Sequence, residues 1–177
     1  MRVIAGYLGG RNFYSPKAFR THPMSERVRG GLFNSLGDIK GLSVLDVFAG
    51  SGALAIEAIS RGAESATTIE SNKTAHNIIK DNIKTLGIEH KVKATKAFFN
   101  SWSTRNEKQK FDIVIADPPY SDLPYKEVEK LNRHIKDDST IVLSWPGNMK
   151  PLKLKDLEIV KNKSYGDAQL VFYQKVR

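Results

Sequence analysis

From Leu42 to Trp145 the chain alternates short β-prone apolar runs with stretches of helical spacing, and no other feature narrows the possible folds so far. Strands are expected over 43–48, 66–70, 91–95, 111–116 and 140–145. Helices are expected over 53–61, 72–86 and 125–136, with one or two helical turns over 97–103. Repeated strand–helix units imply a mostly parallel sheet with right-handed crossovers, an α/β architecture. After it come two further β-prone segments, 157–163 and 169–176, joined at Gly166-Asp167, which read as a closing antiparallel pair. Before it, residues 2–14 read as a small hairpin about a glycine-rich turn, outside the main sheet. A helix then starts behind Ser25 as N-cap, with Val28, Leu32, Phe33 and Leu36 at helical spacing. The glycines Gly30 and Gly31 weaken that helix by roughly 1 kcal/mol each against alanine.

The expected whole is a seven-stranded sheet in one domain over 1–177. A basic hairpin-and-helix extension occupies 1–37 and the core 38–177.

Two segments of this frame carry chemistry. The first is Asp46-Val47-Phe48-Ala49-Gly50-Ser51-Gly52, which passes directly from strand to helix. Its glycines let the backbone approach a ligand, and the free N–H groups of a helix start favour polar or negative groups. Gly50 and Gly52 with Ala55 fit a dinucleotide-binding pattern, and Glu70 ends the next strand where it can bind ribose hydroxyls. The loop alone serves a nicotinamide or flavin dinucleotide and another adenosyl cofactor equally well.

The second segment is Phe111-Asp112-Ile113-Val114-Ile115-Ala116 followed by Asp117-Pro118-Pro119-Tyr120. Two prolines stop the buried strand, so an acid and an aromatic ring arrive together at its carboxyl end, the edge where open α/β sheets bind ligands. Hydride transfer has no need for this group. Methylation of an exocyclic amine does, because the lone pair of such an amine is delocalised into its ring. The Asp117 carboxylate and a nearby carbonyl, such as that of Pro118, can hold the N–H groups and turn the lone pair toward a methyl donor. Tyr120 would stack on a base turned out of its helix.

Charge supplies the partner. The formal net charge is +9, and the excess lies at the two ends: residues 1–31 hold six Lys or Arg against Glu26 alone, and 147–177 hold seven against three acids. A basic margin around a neutral core suggests nucleic acid. The absence of cysteine excludes disulfides and thiolate chemistry, and the four histidines show no metal-ligand spacing. No run approaches the roughly 18 apolar residues of a membrane span, and the amino terminus lacks a signal-peptide core. A cytoplasmic, monomeric protein without a metal is expected.

These segments together resemble a Rossmann-like S-adenosylmethionine-dependent methyltransferase, and more narrowly the RsmD family, which methylates the N2 amine of a guanine in small-subunit ribosomal RNA. The resemblance spans Arg2-Val3-Ile4-Ala5-Gly6, Gly10-Arg11, Arg27-Val28-Arg29, Leu32-Phe33-Asn34, the 46–54 loop, Ile69-Glu70 and Asp117-Pro118-Pro119-Tyr120. It implies S-adenosylmethionine as cofactor, held by Asp46, Phe48, Ala49, Gly50, Ser51, Gly52 and Glu70, with Ala97 beside the adenine. It places Asp117, Pro118, Pro119 and Tyr120 at the target guanine, and Arg2, Arg11, Arg20, Arg27 and Arg29 on the RNA. The implied substrate is 16S rRNA in assembled or partly assembled small subunits. Lys96-Ala97, Met24, Gly30 and Ser144-Trp145 depart from the family's usual residues. Rival readings are a DNA adenine or cytosine amino-methyltransferase, which usually adds a recognition domain, and a non-catalytic RNA-binding assembly factor.

Overall fold

A computed structural model of the chain describes residues 1–15 and 24–176. In order these form α1 (Glu26–Leu36), β1 (Ser43–Val47), α2 (Ala53–Ser60), β2 (Ser65–Glu70), α3 (Lys73–Leu86), β3 (Val92–Lys96), α4 (Phe99–Arg105), β4 (Phe111–Ala116), α5 (Tyr125–Val128), β5 (Ile135–Pro146), β6 (Leu157–Tyr165) and β7 (Ala168–Lys175). The seven strands make one sheet in the order β3-β2-β1-β4-β5-β7-β6. The first five are parallel, and β7 pairs antiparallel with both β5 and β6. The order reverses between β1 and β4, so a crevice opens at their carboxyl ends.

The central strands are buried on both faces, which is why they read as continuous apolar runs. Val44, Ile113, Ile115 and Val142 face one core with α1, α2 and α3, while Leu45, Val47, Val114 and Leu143 face a second core with α4. Local signals fix the helix ends. The Ser25 side chain accepts from Val28 N–H, that of Asn72 accepts from Ala75 N–H, and α3 stops at Gly87 in the left-handed region.

Two segments differ from the sequence expectation. The amino-terminal hairpin is narrower than two strands, with the single bridge Arg2 to Asn12. Val3, Gly10 and Phe13 N–H still bond across the hairpin, to the Arg11, Val3 and Met1 carbonyls, but the backbone between them turns to α2. The Glu57 carboxylate accepts from Ile4 and Ala5 N–H at 2.8 and 3.1 Å, and Leu8 and Tyr7 N–H bond the Ser60 hydroxyl and carbonyl. The helix expected over 125–136 is cut to α5 and a 3-10 turn, Leu131–His134, with β5 beginning at Ile135. The fully buried His134 is the cause: its ring lies 4.9 Å from that of Trp102 and bonds the Ser103 hydroxyl and the Gln109 carbonyl. A continuing helix would carry it away from these partners.

Candidate active site

Beyond β1 the chain turns sharply. Phe48 has φ of 64°, a left-handed conformation that a bulky side chain rarely takes, and strain of this kind concentrates at functional sites. Its ring meets Phe99 edge-on. Gly50 follows at φ of 56°, where a Cβ would meet nothing within 4 Å, so its backbone is bare toward the crevice. Gly52 caps α2 with φ of 78°, and a Cβ there would press on Ile79 at 3.3 Å; its role is to let α2 and α3 pack.

The crevice has two adjoining lobes. The first, about 270 Å³, is walled by Phe48, Gly50, Ser51, Ile69, Glu70, Ala97 and the exposed Phe98. Glu70 is held rigidly at its rim: Gly50 N–H donates to Oε2 at 2.9 Å and Asn72 N–H to Oε1 at 2.7 Å. Each carboxylate oxygen keeps a lone pair for a further donor, so the group is set to bind a diol. Largely apolar walls with the Glu70 carboxylate fixed at the rim fit an adenosine moiety.

The second lobe, about 520 Å³, shares Phe48, Gly50, Ser51, Asp117 and Pro119 with the first. It adds Met24, Ser25 and Val28 at α1, Tyr120, Ser144, and Tyr165, Asp167 and Ala168 at the β6–β7 turn. Asp117 N–H reaches the Val47 carbonyl at 3.4 Å, which ties the acidic corner to the turn after β1. Burial pushes the Asp117 carboxyl up to about 6, against a lowering hydrogen bond from Ser144. The same serine lies 2.6 Å from the Tyr120 hydroxyl, fixing a ring that is 37% exposed. Burial raises that phenol to about 12, so it stays protonated.

All four residues of Asp117-Pro118-Pro119-Tyr120 therefore line the second lobe. Of the residues assigned to the cofactor from sequence, Phe48, Gly50, Ser51, Glu70 and Ala97 line the first lobe, and Ala49 lines only the second. Asp46 and Gly52 line neither. Asp46 is fully buried beneath the loop, where it accepts from Ala55 N–H at 3.1 Å, and burial pushes it up to about 8. Arg2, Arg11 and Arg27 are exposed, Arg2 pairing with Glu26 at 2.9 Å. Arg20 lies outside the described residues. Arg29 is a correction: it is fully buried, 3.7 Å from Glu57, and its Nη2 donates to the Arg2 carbonyl at 2.6 Å. It braces the amino-terminal arm and offers nothing to a phosphate. Phe98, Asn72 and Glu127 in the first lobe and Tyr165 and Asp167 in the second were not identified from sequence. Phe98 carries the one local signal, an apolar ring beside Ala97.

Among the described residues no helix is long and apolar enough to cross a membrane. Nor does any group of three or more His, Asp or Glu among them sit where it could hold a metal ion.

Comparison with known proteins gives a consistent result. Residues 1–174 match the family model described as conserved hypothetical protein 95. The ribosomal RNA small subunit methyltransferase D of Buchnera aphidicola subsp. Acyrthosiphon pisum is 31% identical, covering 97% of this chain and 91% of its own. The protein of the same name from Haemophilus influenzae is 29% identical over 98% and 93%. A solved structure from Escherichia coli, carrying a methyltransferase name, superposes with a TM-score of 0.84 at 29% identity, covering 99% of this chain and 97% of that one.

Proposed function

The chain belongs to the conserved hypothetical protein 95 family, the RsmD family, and from this we propose that it transfers a methyl group from S-adenosylmethionine to the N2 amine of a guanine in 16S rRNA. The observation that carries the reading is the shared wall: an adenosine-shaped lobe and an amine-accepting lobe meet at Phe48, Gly50, Ser51, Asp117 and Pro119. A donor held in one lobe and a base in the other would lie against each other there.

S-adenosylmethionine, when bound, supplies a methyl group already electrophilic on its sulfonium. The chain's own work is binding and placement. Glu70 takes the ribose hydroxyls, while Ile69, Ala97 and Phe98 cover the adenine. The Asp117 carboxylate accepts an N–H of the target amine, turns the lone pair toward the methyl group and strengthens its hydrogen bond as the nitrogen gains positive charge. Tyr120, anchored through Ser144, stacks on the base. Asp117 need not be a strong base, because the methylated amine can lose its extra proton to water.

Arg2, Arg11, Arg20 and Arg27 grip RNA phosphates, and the wall of the second lobe includes Ser25 and Val28, close in sequence to Arg27. The segment 1–37 is the RNA-binding extension and 38–177 the catalytic core of a monomer working in the cytoplasm on assembled or partly assembled small subunits. Asp117→Ala with a titration of S-adenosylhomocysteine tests the division of labour. Transfer should vanish while cofactor affinity stays within about threefold, since only a hydrogen-bond acceptor for the amine is lost. Retained transfer would overturn the assignment.

A further inference from the structure

Asn82 lies in the interior of α3 yet is 3% exposed. Asparagine in a helix interior gains nothing from its propensity and loses water when buried, so its partners must compensate. They do so completely. Oδ1 accepts from Tyr14 N–H at 2.9 Å, and Nδ2 donates to the Tyr14 carbonyl at 2.8 Å and to the Ser51 carbonyl at 3.0 Å. One side-chain amide thus pairs with Tyr14 as a neighbouring strand would, and reaches the glycine loop with its remaining donor.

The two segments it joins have different tasks. Ser51 belongs to the loop and lines both lobes, and its hydroxyl lies 3.7 Å from Met1 Sδ. Tyr14 ends the arm that carries Arg2 and Arg11, and Ser15 beside it lines the first lobe. The arm has a separate anchor on α2, where Glu57 and Ser60 hold residues 4–8. The exposed Tyr14 ring, 63% accessible, makes no demand of its own for this arrangement.

We propose that Asn82 is a positioning residue that locks the amino-terminal arm to the cofactor loop, so that RNA on the arm and cofactor in the loop strengthen each other's binding. The proposal rests on the function proposed above. Coupling requires that both ligands favour one arrangement of a shared element, and the amide of Asn82 is that shared element: it cannot hold Tyr14 and Ser51 unless both are in place.

The test is equilibrium dialysis of radiolabelled S-adenosylhomocysteine against the full chain, with and without saturating bacterial small subunits lacking the modification. The wild type should bind it about tenfold more tightly with subunits present, within the usual span of coupling between sites. Asn82→Ala should bring that ratio to twofold or less while each ligand still binds alone. Asn82→Asp, which keeps the acceptor and loses both donors, gives the same readout should the alanine variant fail to fold. A purely structural role for Asn82 would weaken both ligands and leave the ratio intact, overturning the proposal. A wild-type ratio near one would overturn it too, with methyl transfer unaffected, whereas absence of cofactor or subunit binding in the wild type would overturn the proposed function itself.

Discussion

Asp117 and Asp46 are both carboxyls raised by burial, with opposite consequences. In the proposed role the ionised Asp117 carboxylate is the stronger, charge-assisted acceptor, so transfer should rise with pH through about 6; a rate independent of pH between 5 and 7 would contradict this. Asp46 titrates near 8 in the folded chain, well above its unfolded value. The folded state then holds the proton more tightly, and the associated stability is complete below the unfolded pKa and lost as pH rises through about 8. Asp46→Asn, which retains an acceptor for Ala55 N–H, should flatten the fall in stability between pH 5 and 8; urea denaturation at the two values checks it. The sequence assigned Asp46 to the cofactor and Asp117 to the target amine, and only Asp117 lines the crevice, because a sequence marks position more readily than direction. In β1 the alternation puts Asp46 on the side of Val44, toward α2 and away from the crevice. Arg29 carried a similar signal: it stands three and four residues before Leu32 and Phe33, on the face that α1 buries.

At the scale of elements, the arm is held by a few buried polar groups. Glu57 accepts from two arm N–H groups and from Arg61 Nε at 2.8 Å, and neutralises Arg29. Glu57→Ala leaves Arg29 buried and unpaired and should cost about 3–5 kcal/mol in chemical denaturation; a loss below about 1 kcal/mol would show that the ion pair is not a brace. The paired glycines of α1, unfavourable by propensity, have a tertiary reason. A Cβ on Gly31 would lie 2.1 Å from the Tyr165 hydroxyl. Gly31→Ala should therefore displace Tyr165 from the second lobe and raise KM for small subunits, with cofactor affinity unchanged. The strand–helix alternation was legible because buried parallel strands are continuous apolar runs. The docking of the hairpin on α2 and the shortening of α5 were not, since they depend on Glu57, Ser60 and His134 meeting partners distant in sequence.

For the whole molecule, the sheet class could be read from sequence, and so could the two halves of the crevice, because strand ends and glycine turns fall at fixed places in an α/β chain. The insertion of β7 between β5 and β6 brings the carboxyl-terminal part of the chain to α1: Lys161 Nζ donates to the Ser35 carbonyl at 3.2 Å. Part of each basic end of the sequence is thus held near the other, and the second lobe is walled by both α1 and the β6–β7 turn. Affinity for RNA should consequently fall steeply with salt, with a logarithmic slope of about 0.9 or less per phosphate contacted; filter binding across salt concentrations measures it, and a flat response would contradict a phosphate grip. The central claim is met most directly by offering radiolabelled S-adenosylmethionine to small subunits, naked 16S rRNA and DNA, then identifying the labelled nucleoside. The expected result is N2-methylguanosine in the ribosomal RNA, absent with Asp117→Ala. Label on adenine or cytosine, in DNA, or nowhere would contradict it.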